Sequence, residues 1–137
     1  MTSPRDGTRI TGVRQIAITV SNVAAATTFY RDVLGLSFLF AAGPDLAFLD
    51  IGGVRLMLAA PEGHFVPGGR SSVVYLTVAD INATHSLLAE RGVVFPSAPT
   101  CIAAMPDHDL WLCAFADPDG NPLALMSEVP RSSDASP

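Results

Sequence analysis

The chain has 137 residues, 49% of them hydrophobic, with 13 acidic side chains against 8 basic ones and a formal charge of -5. That length supports one well-cored domain or two tightly fused half-domains rather than two independent ones, and so few, thinly spread basic residues exclude a phosphate-binding surface, so no nucleic acid is expected. No uncharged run approaches the ~20 residues of a spanning helix, and the polar stretch Met1 to Ile10 lacks the apolar centre of an export signal, so the expectation is no membrane and a cytoplasmic location.

In chain order, the first predicted strand is Gln15 to Val20, in which Ile16, Ile18 and Val20 share one side and Gln15, Ala17 and Thr19 the other. A helix follows from Ser21 to Leu34, capped by Ser21 or Asn22, with Ala26, Phe29, Tyr30, Val33 and Leu34 on one stripe and a stop at Gly35. Three strands come next, Leu36 to Phe40, Leu46 to Leu49 and Arg55 to Ala59, with a turn at Gly52-Gly53. The Gly- and Pro-rich segment 61–70 then reads as a linker.

The pattern then repeats. Val73 to Val78 alternates like the first strand, a helix runs from Asp80 to Arg91 and stops at Gly92, and three strands follow: Val93 to Phe95 (resuming near Cys101), Leu110 to Ala116, and Leu123 to Met126 after the turn Asp119-Gly120-Asn121. Val20 matches Val78 and Met57 matches Ala124, so the offset grows from 58 to 67 through a loop insertion that repeats tolerate. The expected fold is α+β: tandem βαβββ modules forming a curved, cup-shaped mixed sheet with helices on the outer face. The expected division is an N-terminal segment 1–11, a first module 12–60, a linker 61–70, a second module 71–128 and a tail 129–137.

Three strings carry a family resemblance: Gln15-Ile-Ala-Ile-Thr-Val, the helix end Phe29-Tyr30-Arg31-Asp32-Val33-Leu34-Gly35-Leu36, and Asp117-Pro118-Asp119-Gly120-Asn121. In this order, on a duplicated frame, the chain resembles the vicinal oxygen chelate superfamily, which includes glyoxalase I, extradiol dioxygenases, and fosfomycin- and bleomycin-resistance proteins. The resemblance covers roughly residues 12 to 128. It implies a homodimer, and in metal-using members a ligand on the first and last strand of each half. Those four positions fall on Gln15, Met57, Val73 and Ala124. Val and Ala offer no lone pair, a thioether suits a hard divalent ion poorly, and one amide cannot retain a metal, so no metal and no cofactor are expected.

Extending the alternation from those positions gives a lining of Gln15, Ala17, Thr19, Arg55, Met57, Ala59, Val73, Tyr75, Thr77, Ala124 and Met126, with Ala47, Leu112 and Ala114 added by parity from Asp50 and Asp117. Small apolar side chains there leave room for a hydrophobic or amphipathic small molecule. Arg55 is the telling member. It either snorkels to water at the mouth or anchors an acidic or oxygen-rich ligand, and Tyr75 is similarly divided between packing and hydrogen bonding.

Of the histidines, His85 reads as a helix-face residue, and His64 and His108 lie in loops that could border the cup; His108 in Asp107-His108-Asp109 is a candidate proton carrier. Trp111, Cys113 and Phe115 fall on the helix side, Asp117 and Asp119 read as a turn rather than a carboxylate pair, and Cys101 and Cys113 read as two buried thiols. The function expected is a metal-independent, bleomycin-resistance-like binding protein. The alternative is a lyase, isomerase or dioxygenase-type enzyme of the same superfamily using Tyr75, Arg55 and His108 as acid-base residues, and a third reading is a structural or regulatory domain whose cup is filled by its own side chains.

Overall fold

The computed structural model describes residues 7–8, 11–63, 66–68 and 72–131. In the first half, strand β1 (Gln15–Thr19) leads into helix α1 (Val23–Thr28), and β2 (Ser37–Ala41), β3 (Leu46–Ile51) and β4 (Val54–Ala59) complete a sheet of order β1-β4-β3-β2. In the second, β5 (Val74–Thr77), helix α2 (Ile81–Glu90), β6 (Thr100–Ala104), β7 (His108–Ala116) and β8 (Pro122–Pro130) build a sheet of order β5-β8-β7-β6. In each sheet the leading strand pairs parallel with the last and the other pairings are antiparallel, so the fold is α+β with tandem βαβββ modules on mixed sheets.

The helices start where the side chains satisfy open backbone donors. Asn22 accepts from the amide of Ala25 at 2.8 Å and Asp80 from that of Ala83 at 3.0 Å. α1 does not continue regularly to Leu34. Its last part, Phe29–Val33, is a π-helical turn closed by the Leu34 amide on the Phe29 carbonyl. Tyr30, four residues after the buried Ala26, faces the core and is 1% exposed.

Residues 93–95 form no strand, since Pro96 and Pro99 follow closely and β6 begins only at Thr100. Val93 is instead buried, and Phe95 lies between the rings of His85 (4.4 Å) and Phe115 (5.3 Å). The last strand runs to Pro130, into the segment read as tail.

Both modules share one core. Ile18, Ala47, Leu49, Leu56 and Leu58 of the first sheet, Cys113, Phe115, Leu123 and Leu125 of the second, and Ala26, Tyr30, Ile81 and Leu88 from the helical segments form a single buried cluster. Each sheet therefore turns its helix-bearing face inward, where burial of a large aliphatic side chain contributes roughly 1.5–3 kcal/mol, and leaves its other face to the outside. Among the described residues, no helix is long and apolar enough to cross a membrane.

Candidate functional site

Strand register assigns the open face of the first sheet. Across β1, β4 and β3, one row reads Gln15, Arg55, Asp50, the next Ala17, Met57, Phe48, and the third Thr19, Ala59, Leu46. Ala47 is not on this face. It pairs with Leu58, is 2% exposed and belongs to the core, because β3 runs in unbroken register and Asp50, Phe48 and Leu46 take the open side. The residue that sequence reasoning missed is Phe48. Its ring stacks on Phe40 at 4.6 Å and lies 5.5 Å from the Arg55 guanidinium carbon.

Arg55 is half-buried and held in place. Its Nε donates to Gln15 Oε1 at 2.8 Å, and Gln15 Nε2 in turn reaches Met57 Sδ at 3.7 Å. Asp50, its cross-strand neighbour, instead accepts from the Gly53 amide at 3.2 Å, and among the described residues no carboxylate lies in ion-pair range of Arg55. Among the described residues, the two Nη groups of Arg55 have no protein acceptor. A half-buried guanidinium whose two Nη groups are open is a ready site for a carboxylate or other oxygen-rich group.

On the second sheet the corresponding rows read Tyr75, Ala124, Ala114 and Thr77, Met126, Leu112, with Pro122 opposite Ala116. Tyr75 is 52% exposed, Val73 lies just before β5 and is exposed, and Ala124 is 3% exposed beneath its neighbours. No hydrogen bond, ion pair or ring contact among the described residues joins this face to that of the first sheet. The lining expected from the sequence is thus divided between the faces of two sheets.

Among the described residues, no hydrogen bond, ion pair or ring contact joins Tyr75, Arg55 and His108 within one chain. Tyr75 and Arg55 lie in different modules, and His108 sits at the far end of β7, six residues or ~20 Å along the strand from Ala114. His108 Nδ1 contacts Asp107 Oδ1 at 2.6 Å, which holds the Asp107 carboxyl below its usual range. His64 lies outside the described residues. His85 is taken up by Phe95, Trp111 packs against the core, Cys101 is exposed rather than buried, and both cysteines are free.

The residues at the family's metal positions do not fit a metal. Both ends of the Gln15 amide are engaged, and Met57, Val73 and Ala124 offer only a thioether and hydrocarbon. Among the described residues, no three of His, Cys, Asp and Glu come together to hold an ion.

The turn string Asp117 to Asn121 joins the modules. Asp117 Oδ1 accepts from the amides of Asp119 and Asn121, both at 2.9 Å, and Oδ2 from Tyr30 Oη and Asn121 Nδ2, both at 2.8 Å. Asn121 also donates to the Thr19 carbonyl and accepts from the Gly68 amide, while Asp119 receives the Ser21 amide. Burial first, and Asp117 second, push the Tyr30 hydroxyl far above its ordinary range. Beside this clasp lies a groove of about 580 Å³ lined by Phe29, Val33, Val93, Val94, Phe115 and Pro118, among others. The one buried carboxylate in its wall, Asp117, has every oxygen already bonded, and Arg91, also in the wall, donates through Nη1 to the Val33 carbonyl at 2.8 Å.

Comparison with known proteins agrees with this architecture. The chain is 32% identical over 119 residues to an uncharacterized protein of Mycolicibacterium smegmatis, covering 87% of this chain and 96% of the relative. It is 41% identical over 66 residues to the metallothiol transferase FosB of Staphylococcus epidermidis, covering 48% of this chain and 44% of that protein. A crystal structure of a superfamily member from Sphaerobacter thermophilus superposes with a TM-score of 0.74 at 28% identity, covering 87% of this chain and 98% of the other. Residues 12–125 match the family model described as Glyoxalase/Bleomycin resistance protein/Dioxygenase superfamily, and the chain belongs to that superfamily.

Proposed function

We propose that this protein binds a hydrophobic or amphipathic small molecule without the family metal, in a cup formed when the open face of the first module in one copy meets that of the second module in another. The observation that carries this reading is Arg55: a fixed guanidinium with two free donors on an outward sheet face beside Phe48, Met57 and Ala17. Gln15, Met57, Val73 and Ala124 supply polarity and shape rather than a metal site.

The same geometry supports a homodimer. Phe40 and Tyr75 are 46% and 52% exposed on outward faces, and among the described residues β1 and β5 are edge strands of their sheets. Unpaired strand edges and exposed aromatic residues favour burial against a second copy.

A second reading, an enzyme of the same superfamily, draws on the stretch similar to the metallothiol transferase FosB. It requires turnover of a small molecule, whereas binding alone predicts a ligand-dependent rise in melting temperature with no product. Native mass spectrometry of the purified protein, read with elemental analysis, tests the proposal. A metal-free dimer carrying a small organic mass supports it; about one equivalent of bound metal per cup would overturn it.

A further inference from the structure

The two halves of the cup are chemically unequal, and the internal repeat makes the inequality measurable position by position. Where the first sheet carries the row Ala17, Met57, Phe48, the second carries Tyr75, Ala124, Ala114. Where the first pairs Arg55 with Asp50, the second pairs Pro122 with Ala116. The guanidinium, the amide of Gln15 and the stacked rings of Phe40 and Phe48 thus all stand on one wall. The other wall has lost their bulk and charge, keeping one hydroxyl at Tyr75.

We propose that the ligand is a planar aromatic acid held head-first: its carboxylate on the two Nη groups of Arg55, its ring against the exposed part of Phe40, and its body in the space left by Ala114, Ala116 and Pro122 of a second copy. This rests on the binding reading above. Gln15 occupies Nε, so only the Nη edge of the guanidinium remains, and two parallel N–H donors match the two oxygens of a carboxylate. Phe48 is 9% exposed and Phe40 46%, so the stacked pair has one fixed ring and one with surface left for an incoming ring. Asp50, the carboxylate in the same row, accepts from the Gly53 amide and, among the described residues, makes no ion pair with Arg55.

The test uses 2-naphthoate and its neutral near-isostere 2-naphthamide, measured by titration calorimetry at low salt. The wild-type protein should bind the acid about tenfold or more tighter than the amide, the increment expected for charge-assisted bonds. Arg55→Met should remove that preference, so that acid and amide bind within about threefold of each other. If Arg55→Met does not fold, Gln15→Glu, which sets a negative charge against Arg55, should weaken the acid about tenfold by the same reasoning. Equal binding of acid and amide, or a preference that survives in these variants, overturns the acidic head, while the amide's binding keeps the cup itself in place. Binding of neither probe overturns this inference and the binding reading together.

Discussion

Tyr30 shows how much one buried hydroxyl carries. Its Oη bonds to Asp117, 87 residues away, and the same carboxylate caps the turn that starts β8. Tyr30→Phe leaves Asp117 Oδ2 with Asn121 alone, so urea unfolding should show a loss of about 1–3 kcal/mol. The pH dependence has a definite sign. The folded hydroxyl ionises far above its ordinary value of 10.0, while the unfolded one ionises there, so its contribution is complete below pH 10 and declines as pH rises beyond it. Tyr30→Phe should therefore narrow the gap to wild type in melts above pH 10, and a gap that stays constant from pH 7 to pH 11 would refute the assignment. Asp117 and Asp119 were legible in the sequence as turn residues. That Asp117 answers to Tyr30 was not, because a hydroxyl on a helical stripe carries no sign of its partner.

Elements were legible to the extent that their two faces differ in polarity. β1 alternates cleanly and its register matches the expectation; Leu46-Ala47-Phe48-Leu49 is apolar on both faces, so hydrophobicity could not choose, and only pairing with β4 shows that Phe48 rather than Ala47 faces out. The bulges between Phe38 and Phe40 and between Cys101 and Ala103 shift pairing without marking the composition. The linker gives a sharper test. Gly68 has φ +78°, and a Cβ there would meet the Asp119 carbonyl oxygen at 2.8 Å. Gly68→Ala should cost about 1–3 kcal/mol through strain at the clasp, whereas Gly12→Ala, with open space around it, should leave the melting temperature unchanged. Equal melting temperatures for the two variants would show that the linker does not bear on the Asp117 turn as described.

At the scale of the whole molecule, the duplicated modules could be read from the chain, but the way they face could not, since the same alternation serves modules paired within one chain or between two. The shared core decides which faces are inward, and the clasp of Tyr30, Asp117 and Asn121 holds that arrangement. If cups form between copies, each joins module one of one chain to module two of the other, and two separately crippled chains can rescue each other. Arg55→Met damages the first wall, and Ala114→Trp fills the second at an exposed position. Each homodimer then has one damaged wall in every cup. A mixed dimer instead has one cup with both walls damaged and one with both intact. Mixing and reannealing the two variants should restore 2-naphthoate binding at up to one cup per mixed dimer, with sedimentation reporting the dimer throughout. No recovery on mixing, in dimers that demonstrably exchange, would place both walls of a cup on the same chain.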